Sequence, residues 1–270
     1  MQIEFTKMNG AGNDFVVLDN RDLRYQLSTA QIERLCNRQR GIGADGLLAV
    51  EPAENGADFR MRYYNADGGE AEMCGNGARC FANFLTEISA NAKESVTFET
   101  IAGVIEASYP AGNVRIQLSD PFDQKMGQDL EVLSQQLLVH SINTGVPHAC
   151  AVVDDVAKAD IVGIGRALRF HEAFQPSGTN ANLFEVKAPD EITLRTYERG
   201  VENETLACGT GMVASAIVHH ELTGATTPIK VNVQGGDQLI VEFDKTPDGY
   251  RNVYLTGPAD FTFSGTIQLP

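Results

Sequence analysis

The sequence predicts an α+β chain of two structurally similar halves, each an antiparallel sheet wrapped around a central helix. Three observations predict it. The pattern Cys-Gly-x-Gly occurs twice, at Cys74-Gly75-Asn76-Gly77 and Cys208-Gly209-Thr210-Gly211, and each copy runs into small and apolar residues at helical spacing. Short alternating apolar runs bounded by Gly, Asn and Asp flank both helices and read as strands. The series of strand, turn, Cys-Gly helix and strand meander recurs on either side of Asp120-Pro121-Phe122-Asp123, with no low-complexity linker. The halves are expected at residues 1–120 and 121–257, with a C-terminal strand over 258–270 returning to the first. An active site is expected in the cleft between them.

In order, strands are expected over 3–8 and 15–18, joined by the turn Asn9-Gly10-Ala11-Gly12-Asn13-Asp14. Ser28-Thr29 caps a helix over 31–38, with Ile32 and Leu35 facing inward. The glycine-rich turn from Gly41 to Gly46 leads into a strand over 47–50; a further strand over 58–64 ends at Asn65-Ala66-Asp67-Gly68-Gly69. The first Cys-Gly helix and strands over 95–100, 104–109 and 114–118 follow. Beyond Asp120 come strands near 136–142 and 149–153, a helix over 161–170, and strands over 183–187 and 191–197. The second Cys-Gly helix runs to Leu222, before strands over 229–233, 239–243 and 253–255.

Composition narrows the function classes. The 270 residues are 43% hydrophobic with a mean hydropathy of −0.18, enough for a core. No apolar run approaches the ~18 residues of a membrane-spanning helix. The net charge of −15 argues against nucleic acid, which calls for basic patches. Met1-Gln2-Ile3-Glu4 has neither a basic start nor an apolar segment, so a cytoplasmic protein is expected. Five cysteines, an odd number, argue against a disulfide framework and turn attention to metal binding or catalysis.

Metal fits poorly, because the cysteines lack paired C-x-x-C spacing and the histidines lack His-Glu-x-x-His. Gly41-x-Gly43-x-x-Gly46 matches a dinucleotide fingerprint but precedes a strand rather than a helix, which favours a tight turn. His148, in the turn Thr144-Gly145-Val146-Pro147-His148, offers a base for a nucleophilic cysteine, yet that scheme leaves the second Cys-Gly station unexplained. A thiol at a helix N-terminus sits beside unpaired N–H groups and the positive end of the helix dipole, which favour thiolate. Bare glycines let a small anion reach the same N–H groups. Two such stations suit a pair of acid–base thiols, Cys74 and Cys208, that take a proton from one face of an amino-acid α-carbon and deliver one to the other. Cys36, Cys80 and Cys150 are expected to fill core.

The chain resembles diaminopimelate epimerase, through Lys7-Met8-Asn9-Gly10-Ala11-Gly12-Asn13-Asp14-Phe15, Arg40-Gly41-Ile42-Gly43-Ala44-Asp45-Gly46, Tyr64-Asn65-Ala66-Asp67-Gly68 with the first Cys-Gly block, Gly178-Thr179-Asn180-Ala181-Asn182, and Tyr197-Glu198-Arg199-Gly200 with the second. The resemblance implies a cofactor-independent enzyme that interconverts LL- and meso-diaminopimelate in lysine and peptidoglycan precursor synthesis. It implies Cys74 and Cys208 as the acid–base pair and substrate contacts from Asn13, Asn65, Asn180, Glu198 and Arg199. The N–H groups of Gly75-Asn76 and Gly209-Thr210 would cradle the reacting carboxylate, with His148 and Glu198 orienting the thiols. It implies no metal, no nucleic-acid partner and no membrane partner, and it leaves a homodimer open. Val146 stands where many members carry a substrate-contacting Asn, and Gly46 where some carry Gln. A same-fold racemase of another amino acid, such as proline or hydroxyproline, is the nearest alternative; an amino-acid-binding protein without catalysis is another.

Overall fold

Apolar periodicity produces two kinds of helix in the computed structural model, which describes residues 1–89 and 94–269. The first unit, Met1–Ile116 with the segment from Gly257, contains β1 (Gln2–Gly10), β2 (Asn13–Asp19), α1 (Thr29–Cys36), β3 (Gly46–Glu51), β4 (Phe59–Asn65), α2 (Gly75–Ile88), β5 (Ser95–Thr100), β6 (Gly103–Ser108) and β7 (Val114–Gln117). The second, Gln117–Thr256, contains β8 (Phe122–Val132), β9 (Gln135–Asn143), β10 (Pro147–Val152), α3 (Ile161–Phe170), β11 (Asn180–Ala188), β12 (Glu191–Glu198), β13 (Asn203–Thr205), α4 (Gly209–Thr223), β14 (Ile229–Val233), β15 (Gln238–Thr246) and β16 (Gly249–Gly257). The last strand, β17 (Asp260–Gln268), runs antiparallel to β1, with Gln2 opposite Gln268 and Asn9 opposite Asp260. Pro270, the end of the strand expected over 258–270, lies outside the described residues.

Both units repeat one order of strand directions. In the first, β17, β1 and β2 are successively antiparallel, β2–β3 is parallel, β3–β4 antiparallel, β4–β5 parallel, and β5, β6 and β7 antiparallel. In the second, β8, β9 and β10 are antiparallel, β10–β11 parallel, β11–β12 antiparallel, β12–β14 parallel, and β14, β15 and β16 antiparallel. The sheets are therefore mixed, not purely antiparallel as expected from the sequence. Connectivity is the cause. Hairpins can join only antiparallel strands, and each parallel pair here is joined across a helix: α1, α2, α3 and α4 in turn.

Burial separates the helices. α1 and α3 bury one stripe each, Ile32, Leu35 and Cys36 in one and Ile161, Gly165 and Leu168 in the other. α4 buries every residue from Gly211 to His219, and α2 every residue from Asn76 to Ala82. A helix buried all round is the centre of its unit, with the sheet on its flank. β2 shows how the sheet serves both layers: Val16 and Leu18 pack with Ile32 and Leu35 of α1, while Phe15 meets the Cα side of Gly77 in α2. Phe81 of α2 stacks at 4.8 Å on Phe98 of β5, and burying such a ring contributes about 2–3 kcal/mol.

The sequence reading missed β8. Its residues are mostly polar and exposed, with only Val132 buried, and its pairing with β9 shifts register twice around Lys125. An irregular edge strand with one wet face carries little alternation. The Gly41–Gly46 segment is the expected turn, and it closes the C-terminal end of α1: Ile42 N and Gly43 N donate to Leu35 O at 2.9 and 3.1 Å, and Ala44 N donates to Cys36 O at 3.0 Å.

A partly exposed ionic cluster fixes the β1–β2 hairpin to that turn. Lys7 Nζ donates to Asp14 Oδ2 at 2.7 Å and also to Gly43 O. Arg38 reaches both Asp14 oxygens, at 2.9 and 2.7 Å, and Asp45 Oδ1 at 2.8 Å. Burial alone would raise the Asp14 carboxyl, but hydrogen bonds from Arg38 and Lys7 outweigh it and hold it at about 2. Because its ordinary value is 3.8, the cluster's contribution is complete above about pH 4 and is lost as pH falls through 2. Discounted for the exposed side of Arg38, that contribution is about 1–2 kcal/mol. Urea denaturation of Asp14→Asn against the parent chain should show this gap at pH 7 and its closure near pH 2. A gap that does not change with pH contradicts the assignment.

Candidate active site

Each central helix begins at a cysteine. Cys74 is the N-cap of α2 with φ −138° and ψ 122°, and Cys208 is the N-cap of α4 with φ −126° and ψ 107°. Their carbonyls accept the first helical bonds, from Ala78 N at 2.7 Å and Met212 N at 2.9 Å. Each cysteine thus directly precedes the first turn, whose N–H groups lack intrahelical acceptors. Cys74 is half-buried and Cys208 is 7% exposed. Gly75 and Gly209 leave the backbone bare beside the sulfur, since a Cβ there would meet only Ile116 Cδ1 at 3.8 Å and Leu255 Cδ2 at 3.2 Å.

In the first unit, a directed chain of side-chain amides leads up to the α2 N-terminus. Arg79 NH2 donates to Asn76 Oδ1 at 2.8 Å, Asn76 Nδ2 to Asn13 Oδ1 at 2.7 Å, and Asn13 Nδ2 to Asp45 Oδ2 at 2.9 Å. Each amide oxygen accepts one of these bonds and keeps a second lone pair, and each nitrogen keeps one N–H, so both amides can still meet a ligand. Gly10 permits the close approach of β1 to this turn, because a Cβ there would lie 2.7 Å from Asn76 O and 2.9 Å from Cys80 Sγ. Asn65 sits at the exposed end of β4, opposite Gly46, with its Oδ1 accepting from Tyr63 at 2.9 Å. Gly46 is the residue that fits there: a Cβ would come within 2.6 Å of Tyr64 O and 2.8 Å of Tyr63 Cε2.

In the second unit, β10, β11 and β12 bring His148, Asn182 and Thr196 to the α4 N-terminus, with Asn180 beside His148 and Glu198 at the end of β12. His148 pairs in register with Asn180, and its Nε2 lies 2.9 Å from Thr210 Oγ1. Thr210 Oγ1 lies 3.6 Å from Cys208 Sγ, and Thr144 Oγ1 donates to Thr210 O at 2.9 Å. Asn180 Oδ1 accepts from Arg199 N at 2.7 Å, and the Arg199 guanidinium donates to Ser177 O at 3.0 Å. Asn180 thus holds the backbone on which Arg199 is carried.

Electrostatics differ sharply among these groups. Burial, reinforced by the Arg199 charge, pulls the His148 imidazole down to about 3, so the ring is neutral near pH 7. A general-base histidine poised near neutrality is not what this environment makes. Burial pushes the Glu198 carboxyl up. Burial pushes the thiols of Cys36, Cys80 and Cys150 up to about 12, where each stays protonated. Among the described residues, no group of three or more His, Cys, Asp or Glu side chains is placed to hold a metal ion, and no helix is long and apolar enough to cross a membrane.

Several neighbours of the site escaped the sequence reading: Asp45 and Arg79 in the first unit, Thr144, Asn182 and Thr196 in the second. Asn182 carried a usable signal. It follows Asn180 by two on one strand, which places both on the same face.

Known proteins resemble this chain over nearly its whole length. The sequence profile described as "Diaminopimelate epimerase" matches residues 5–122 and 140–262. Diaminopimelate epimerase of Aquifex aeolicus is 41% identical over 279 residues, covering 98% of this chain and 98% of its own. The Chlorobaculum tepidum enzyme of the same name is 41% identical over 266 residues, covering 97% and 100%. Among solved structures, a phenazine biosynthesis protein of the PhzF family from Bacillus anthracis superposes with a TM-score of 0.74 at 15% identity, covering 100% of both chains; it shares the fold. On the profile match and these full-length identities, the chain belongs to the diaminopimelate epimerase family.

Proposed function

We propose that this chain interconverts LL- and meso-diaminopimelate with Cys74 and Cys208 acting on a single α-carbon. The observation that carries the reading is the pair of cysteine N-caps, alike in backbone conformation and each opening a buried helix through Gly-x-Gly. One thiolate takes the α-proton as the C–H bond breaks, and the electron pair passes into the substrate carboxylate. The N–H groups of Gly75-Asn76 and Gly209-Thr210 stabilise that charge. The other thiol then delivers its proton to the opposite face, so the centre inverts and the thiol and thiolate have exchanged roles. The scheme balances with no organic cofactor and no metal.

Substrate recognition follows from side-chain chemistry. A diacid with two amino groups needs a guanidinium for a carboxylate and amides or carboxylates for ammonium groups. Arg199, steadied by Asn180, supplies the first; Asn13, Asn65, Asn180 and Glu198 supply the second. The reaction serves lysine and peptidoglycan precursor synthesis in the cytoplasm, and the family resemblance extends the proposal to a homodimer.

Supplying pure LL-diaminopimelate and following the meso isomer tests the substrate. Equal turnover of lysine or alanine would defeat the diaminopimelate assignment while leaving the thiol chemistry standing. Cys74→Ala and Cys208→Ala should each lose activity well beyond the ~10²–10⁴-fold typical of one acid–base group, since both thiols are obligatory. Serine at either position should be nearly as damaging, and substantial activity in either alanine variant refutes the pair. Arg199→Lys keeps the charge but loses the two-pronged geometry, so kcat/KM should fall more than ~10-fold with the urea midpoint unchanged. An unchanged kcat/KM would remove Arg199 from substrate binding.

A further inference from the structure

The second unit contains a run of hydrogen bonds whose direction can be worked out from its fixed end. Asn182 is 0% exposed, Thr196 2% and His148 1%, so water does not compete for them. Asn182 Nδ2 lies 3.3 Å from Ala149 O, a carbonyl that can only accept, and Asn182 Oδ1 accepts from Thr196 Oγ1 at 2.9 Å. The Ala149 carbonyl settles which end of the amide is nitrogen, and the Thr196 hydroxyl then donates to the other. The same Nδ2 lies 3.0 Å from His148 Nδ1, which must then be the acceptor and carry no proton. A neutral imidazole without a proton on Nδ1 holds it on Nε2. Nε2–H therefore donates to Thr210 Oγ1 at 2.9 Å. Having accepted there, the Thr210 hydroxyl keeps its own proton for another acceptor, and Cys208 Sγ stands 3.6 Å away, within reach for sulfur.

We infer that Thr196, Asn182, His148 and Thr210 form a relay of fixed polarity that aims the Thr210 hydroxyl proton at the Cys208 sulfur and so stabilises Cys208 as thiolate. His148 is then a positioning residue and not a proton acceptor: its Nδ1 is occupied by Asn182 and its Nε2 already bears hydrogen. The third residue of the Cys-Gly-Thr-Gly pattern acquires a side-chain role beside its backbone N–H. Gly211 is what lets the relay fit, because a Cβ there would lie 2.5 Å from Asn182 Oδ1 and 3.3 Å from Cys208 Sγ. The catalytic meaning of the relay rests on the epimerase reading, but its existence does not.

Two measurements test it. Long-range proton–nitrogen NMR of the full chain, with His148→Gln to assign the signal, should show His148 with its proton on Nε2; Asn182→Asp, which can only accept from Nδ1, should reverse the tautomer or charge the ring. A parent chain with the proton on Nδ1 overturns the relay. Titration of Cys208, followed as the ultraviolet thiolate absorbance lost in Cys208→Ala, should move up by about one pH unit in Thr210→Val, as expected for one lost bond to a charged acceptor. Thr210→Ser, which retains the hydroxyl, should restore it. An unchanged titration in Thr210→Val overturns the relay even if the enzyme epimerises normally. A chain that shows both signatures yet leaves LL-diaminopimelate unchanged supports the relay and defeats the proposed function instead.

Discussion

The constraint on which the rest depends is a buried helix whose half-buried N-terminus must still find acceptors for its first N–H groups. α4 is buried from Gly211 to His219 and α2 from Asn76 to Ala82, so neither helix start is set on a freely solvated surface. Unpaired N–H groups in such a place are costly unless an anion arrives. A thiolate and a substrate carboxylate are both suitable anions. Placing cysteine at the cap and glycine after it makes the same structural need serve catalysis: the dipole that wants negative charge receives it from the base and from the charge that develops on the substrate.

Sheet connectivity delivers this arrangement twice. The strand leading toward α2 is β4 and the strand it returns to is β5, in parallel; α4 stands in the same relation to β12 and β14. A crossover through a central helix leaves the helix start near the ends of the strands, where neighbouring loops gather polar side chains. Amides that need particular orientations are then held by partners from adjacent strands. Asn13 and Asn76 orient one another in the first unit, as Asn182 and His148 do in the second. The two units thus solve one problem with different side chains, which is why the glycine pattern repeats while the surrounding sequence does not.

What could be read in the sequence was whatever has a short-range signature. The Cys-Gly-x-Gly blocks, the Ser28 cap with Gln31 reaching back to Ser28 N at 2.9 Å, and the turn at Gly43 with φ +81° are local facts of chain geometry. The parallel pairings were not legible, because direction depends on where a crossover helix lands and not on the alternation within either strand. β8 was missed because a polar edge strand looks like loop. Asn182 and Thr196 were passed over for the opposite reason: both lie in strands whose burial hides them among core residues, and only contact with His148 reveals their use. Asp45 is remote in sequence from Asn13, the amide it orients, and Arg79, one turn from Asn76, is hidden by its burial within α2.

The central claim is that two different thiols handle the two faces of the α-carbon. Incubation of LL-diaminopimelate with the chain in heavy water, sampled before equilibrium, tests it most directly by locating deuterium in both isomers. Before reaction the thiolate carries no deuteron and the opposite thiol carries one from solvent, so the first meso product should be fully deuterated at the inverted carbon while recovered LL substrate remains unlabelled. Early product that retains the substrate's own hydrogen, or recovered substrate that labels as fast as product forms, would show one group serving both faces and would contradict the account.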